Sequence, residues 1–184
     1  MKKSETVFQD LHKDIIDNCR KRDRKAQFQI YKLYYRNMFN ISLRIVNDTM
    51  EAEDIMQESF LSAFENIDSY EGKVSFGAWL KRIVINRSLD ATKKRKMDLF
   101  SIDENPELPD AEKEDNDKEF INLQVEKVHR CIKLLPDGYR IILSLYLLEG
   151  YDHEEIGEIL NISSSTSRSQ YARARIKLAE LLKK

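Results

Sequence analysis

The sequence predicts an all-α chain of two small helical domains joined by a flexible acidic linker. Three observations carry that expectation. Breakers are scarce, with five Gly and three Pro in 184 residues that are 34% charged, so long helices are favoured. Apolar residues recur at helical spacing almost throughout, and no run alternates as a half-buried strand would. Charge is segregated beneath a net charge of −1. Lys81 to Met97 holds seven basic residues and one acidic, Asp98 to Glu119 ten acidic and two basic, and Ser163 to Lys184 six basic and one acidic. Two basic segments flanking an acidic, proline-containing one read as two nucleic-acid-facing modules and a tether. The tether, SIDENPELPDAEKEDNDKE, has too few apolar residues to pack, and its charge keeps it off phosphate. The expected boundaries are 1–97, 98–118 and 119–184.

The N-terminal domain reads as four helices. The first carries Phe8, Leu11 and Ile15 at helical spacing. The second starts near Asp23 and runs through AQFQIYKLYYRNMFNISLRIV. The third opens on a capping box, Asp48-x-x-Glu51, and runs to about Ile67. The fourth starts near Ser75 and runs through FGAWLKRIVINRSLDATKKRK, after a loop, SYEGKV, that Gly72 punctuates.

Two of these helices have faces of interest. In the third, Ala52, Ile55, Met56, Ser59 and Ala63 form a core side, while Asp54, Gln57, Glu58 and Leu61 lie opposite at i, i+3, i+4 and i+7. On spacing alone those four are either a solvated face or a docking stripe for a basic or amphipathic helix. In the fourth, Phe76, Leu80, Ile83 and Val84 can face inward, and Trp79, Arg82, Asn86 and Lys93 share one stripe. Trp79 is a core residue or, beside Arg82 and Asn86, a platform for an unstacked base.

The C-terminal stretch YDHEEIGEILNISSSTSRSQYARARIKLAELL reads as a helix-turn-helix. Asp152-x-x-Glu155 is a second capping box, Ile156, Ile159 and Leu160 give one apolar stripe, and Asn161-Ile162-Ser163 makes the turn. Ser163 or Ser164 caps the second helix. There Ser167, Tyr171, Ala174, Leu178 and Leu181 fall on one side, with Ser165, Arg168, Ser169, Ala172, Arg173 and Ile176 opposite. One face packs; the other presents guanidiniums and small residues, as a recognition helix does in a major groove.

Other classes find little support. No stretch of eighteen apolar residues and no signal peptide is present, so the chain is expected neither to span a membrane nor to be exported. Cys19 and Cys131 stand alone and read as reduced thiols, and His12, His129 and His153 have no ligand spacing, so no metal or other cofactor is expected. No Gly-rich phosphate loop, nucleophile elbow or His-centred triad is found, which argues against an enzyme.

Four blocks then identify a resemblance: AEDIMQESF at 52–60, SFGAWLKRIVIN at 75–86, LPDGYRIILSLYLLEGYDHEEIGEIL at 135–160 and TSRSQYARARIKL at 166–178. In this order and spacing the chain resembles the extracytoplasmic-function (ECF, group 4) sigma factors of the sigma-70 family. The resemblance implies a sigma-2 helical bundle over 1–97 and a sigma-4 helix-turn-helix over 119–184. It implies a cytoplasmic bacterial protein that directs core RNA polymerase to promoters and has no catalytic activity of its own. Asp54, Gln57, Glu58 and Leu61 then fall on the surface that docks on the β′ clamp helices, and the β flap is a second contact. Trp79, Arg82 and Asn86 match positions near the −10 element, and the loop from Ser69 to Ser75 matches one that captures a flipped base. Arg87 and Lys93, Lys94, Arg95 and Lys96 suit nearby phosphates. Arg168, Ser169, Ala172 and Arg173 match positions facing the −35 element, and Arg175 suits its backbone. An anti-sigma factor is implied as a further partner.

Two residues depart from the family pattern. Ser167 stands at a core-facing position usually held by a small aliphatic residue, which predicts a recognition helix held less tightly. Ala172 offers a methyl contact and no hydrogen bond, so the −35 sequence is not transferable from relatives. The competing functions are a helix-turn-helix regulator that acts without replacing the sigma subunit and a helical adaptor. The stripe Asp54–Leu61 and the acidic linker speak against the first, and the basic recognition helix against the second.

Overall fold

The computed structural model describes residues 12–98 and 117–183, with side chains over 12–95 and 125–183. Phe8, Leu11, the Lys96 side chain and nearly all of the expected linker lie outside the described residues. What is described is helical: α1 (Lys13–Arg20), α2 (Arg24–Val46), α3 (Thr49–Glu65), a 3-10 turn (Ile67–Ser69), α4 (Phe76–Asp98), α5 (Asp117–Lys133), α6 (Asp137–Leu147), α7 (His153–Leu160) and α8 (Ser164–Leu182). These helices form two compact units, divided between Thr92 and Lys93.

Short polar side chains set where the helices begin. Asp23 caps α2 by accepting from the N–H groups of Lys25 and Ala26 at 2.7 and 3.4 Å. Asp48 caps α3 through the Glu51 N–H at 2.8 Å. Each satisfies first-turn donors that have no partner within the helix. Asn47, in the left-handed region at φ 60, ends α2 and lets α3 fold back along it.

In the first unit, α1 supplies Ile16 and Cys19 to the core, α2 Ile30, Met38, Ile41 and Ile45, α3 Ala52, Met56 and Phe60, and α4 Phe76, Leu80, Val84 and Ile85. Each of the large apolar side chains contributes roughly 1.5–3 kcal/mol by burial. Ile85 rather than Ile83 is the fully buried isoleucine of α4. The buried positions Phe76, Leu80, Val84, Ser88 and Thr92 step by four, and each such step rotates an α-helix by about 40°, so the inward face drifts along α4. Near its end polar contacts take over, with the Ser88 and Ser42 hydroxyls 3.0 Å apart.

Burial, and secondarily the Asp23 charge, push the Cys19 thiol up to about 11. With no exposed surface and almost no thiolate at neutral pH, Cys19 should resist iodoacetamide in the native chain and react once the chain is unfolded. Mass spectrometry of the alkylated protein checks this.

In the second unit, Cys131 and Ile132 of α5 and Leu135 of the turn after it pack with Leu143 of α6 and with Ala174 and Leu178 of α8. Arg140 of α6 is 97% buried, its relative exposure being 3%. It donates to the Leu135 carbonyl at 3.1 Å and to the Asp137 carboxylate at 2.6 Å. Thus one guanidinium satisfies a carbonyl in the turn between α5 and α6 and an acid in the first turn of α6.

The capping box Asp152/Glu155 on α7 is complete, and Ser163, not Ser164, caps α8 through the Thr166 N–H. Asn161 adopts the left-handed conformation at φ 56. The turn then passes so close to α7 that a Cβ on Gly157 would lie 2.8 Å from the Ile162 carbonyl oxygen.

Candidate functional site

The face of α3 expected to dock a partner stands clear of the core. Ala52, Ile55, Met56, Ser59 and Ala63 are buried, while Asp54, Gln57, Glu58 and Leu61 are exposed, Leu61 at 64%. The Gln57 amide donates to the Glu53 carboxylate at 3.4 Å. Glu58 pairs with Arg87 of α4 at 3.1 Å, which ties one residue of this stripe to a cation the sequence had placed near phosphate. The pair spans 29 residues, so no local spacing reveals it.

On α4, Trp79 is half-buried and packs on Tyr70 and Phe76, with centroids 5.4 Å away in both cases. The indole therefore belongs to an aromatic cluster and remains partly exposed. Arg82 and Arg87 are half-buried, as is Arg95, while Asn86, Lys93 and Lys94 are exposed. The neighbouring loop is tied at both ends. Arg20 donates to the Tyr70 carbonyl at 2.6 Å, and the Tyr70 hydroxyl donates to the Val74 carbonyl at 2.7 Å. Gly72 turns it at φ +73. Lys73, hydrogen-bonded to Glu71, holds that carboxyl below its ordinary value. Sequence reasoning missed Arg20, because its loop partner lies 50 residues away.

The two faces expected of the last helix are the ones observed. Ser167, Ala174 and Leu178 are buried, whereas Ser165, Arg168, Ser169, Ala172, Arg173, Arg175 and Ile176 are exposed. Arg168 donates to the Ser164 hydroxyl at 3.1 Å, which draws its guanidinium toward the N-terminal end of α8. Arg175 lies on the flank, 5.9 Å from the Tyr171 ring centre. The Ser167 hydroxyl lies 2.9 Å from His153 Nδ1, a polar contact at the core-facing position that departs from the family's small aliphatic residue. Among the described residues, no group of three His, Cys, Asp or Glu could hold a metal ion, and no helix is long and apolar enough to cross a membrane.

Known proteins match this arrangement unit by unit. The family model for Sigma-70 region 2 matches residues 30–97, and that for Sigma-70, region 4 matches residues 125–178. The ECF RNA polymerase sigma factor SigW of Bacillus subtilis (strain 168) is 30% identical, over 91% of this chain and 95% of its own.

The chain belongs to the sigma-70 family.

Its place among the ECF sigma factors is supported again by the ECF RNA polymerase sigma-E factor of Escherichia coli (strain K12), 32% identical over 88% of each chain. Among solved structures, CnrH in complex with the cytosolic domain of CnrY shares the fold at a TM-score of 0.58 and 20% identity, covering 95% of this chain and 98% of CnrH. The sigma factor RpoE of Bartonella quintana, in complex with the anti-sigma factor NepR, does so at 0.59 and 23%, covering 84% and 95%. This sigma factor thus carries exposed polar faces on α3, α4 and α8 within its two matched regions.

Proposed function

We propose that this RNA polymerase sigma factor works as a dissociable, non-enzymatic promoter-specificity subunit in the bacterial cytoplasm. The observation that carries the reading is α8: a helix buried on one side and presenting Arg168, Ser169, Ala172 and Arg173 on the other, inside the region 4 match. In this reading residues 1–97 dock on polymerase and read the −10 element, 119–184 read the −35 element, and 98–118 join them. Asp54, Gln57, Glu58 and Leu61 meet the β′ clamp helices, and the second unit meets the β flap. Trp79, Arg82 and Asn86 work at the −10 element, with Arg87 and Lys93–Lys96 on nearby phosphates. Duplex opening draws on binding energy rather than nucleotide hydrolysis. Two similarly folded proteins were solved in complexes, one with an anti-sigma factor, and a similar regulator is proposed here. Transcription in vitro with core polymerase, this protein and a promoter library tests the whole reading. Transcripts that depend on both elements support it, and a protein that binds DNA but never co-elutes with polymerase is a regulator of another kind.

The two arginines of α8 divide reading from attraction. Arg173→Ala is expected to change which −35 base pairs are tolerated, because a bidentate arginine–guanine contact supplies roughly 1–3 kcal/mol of discrimination. Arg175→Ala, removing a flanking cation, should weaken all sequences alike and flatten the salt dependence. Selection from the same library checks both, and an interchange of the two outcomes would show the faces misassigned.

A further inference from the structure

Ser167 is a hydroxyl with no exposed surface on the packed side of α8, and its partner is His153, the first residue of α7. The imidazole is held in turn. It stacks on Tyr146 of α6, with ring centres 4.6 Å apart and planes at 18°. It meets Tyr171 of α8 edge-on at 5.5 Å, and Tyr146 and Tyr171 lie 4.4 Å apart. Three rings from three helices therefore fix where Nδ1 points.

A buried hydroxyl without a partner costs free energy, so α8 has reason to keep Ser167 opposite that nitrogen. Aliphatic contacts tolerate a slide or a roll of one helix on another, whereas a hydrogen bond weakens steeply off its axis. The roll matters because Arg168 and Ser169 adjoin Ser167 in the chain and share its rigid helix with Ala172 and Arg173. A turn of about 20° about the axis moves a group ~6 Å out by about 2 Å, enough to spoil a bidentate contact. We infer that His153, acting through Ser167, is a positioning residue that sets the rotation of the recognition helix and so determines which base edges Arg168 and Arg173 reach. This rests on the promoter reading above and adds to it a residue outside the exposed face of α8.

The test uses the full chain with core polymerase and a library randomised at the −35 element. His153→Phe keeps a ring between Tyr146 and Tyr171 and removes the nitrogen. Discrimination at base pairs facing Arg168 and Arg173 is expected to fall about tenfold, well within what such contacts supply, with polymerase binding and −10 preference unchanged. Ser167→Thr and Ser167→Val add the same bulk at a fully buried site, but only threonine keeps the hydroxyl. Threonine is expected to retain the −35 preference and valine to lose it. Equal behaviour of those two variants, or a His153→Phe protein that loses activity uniformly or keeps its −35 preference intact, overturns the inference and leaves the promoter reading standing. A wild-type protein whose transcription ignores the −35 sequence overturns both.

Discussion

Arg140→Ala is expected to destabilise the second unit by about 3 kcal/mol. The guanidinium is buried and engages both the Leu135 carbonyl and Asp137. Its removal leaves a buried acceptor unmet, at about 1–3 kcal/mol, and opens a void where its aliphatic stem packed. The Asp137 side chain is 26% exposed and can rehydrate in part, which holds the cost at the lower end of the roughly 3–5 kcal/mol seen for broken buried pairs. Arg140→Met, which restores the stem but not the bonds, should recover only about 1 kcal/mol. The chain has a single tryptophan, and it lies in the first unit. Urea unfolding of Arg140→Ala should therefore show an early far-UV circular dichroism phase while the Trp79 fluorescence transition stays in place. A circular dichroism profile that matches the wild type would remove Arg140 from the account of stability.

Helix starts were legible because their cause is local: Asp23, Asp48, Asp152 and Ser163 each bond N–H groups two or three residues ahead, so the pattern and the contact share one window. The exposed faces of α3 and α8 were legible for a related reason, since a fixed 100° step assigns sides without knowledge of the partner. Where a partner is distant the same reasoning fails. Glu58 and Arg87 read as belonging to two different sites, and Ser167 reads as a departure that loosens α8 because His153 precedes it by 14 residues. Trp79 stayed open for another reason. Helical phase places it beside Arg82 and Asn86 on one side and Phe76 on the other, but only the fold brings Tyr70 against its ring.

The face of α3 proposed to dock on polymerase leads to the other large effect. The double variant Asp54→Ala, Gln57→Ala is expected to lose at least about thirtyfold in affinity for core polymerase, since each polar or charge-assisted interface contact contributes on the order of 1–3 kcal/mol. Both side chains are exposed on the side of α3 away from its buried residues, so the fold should change by less than about 0.5 kcal/mol. Leaving Glu58 in place is deliberate, because its pairing with Arg87 at 3.1 Å would mix a contact within the chain with one across the interface. Arg87→Ala supplies the complementary measurement. It frees the Glu58 carboxylate for the partner at a cost of about 0–1 kcal/mol, typical of an exposed pair, so polymerase binding should hold steady or tighten slightly. Titration of labelled polymerase with each variant, alongside thermal unfolding, separates these effects. If the double variant is folded and binds polymerase as the wild type does, the stripe Asp54–Leu61 is a solvated face and docking must be sought on another helix.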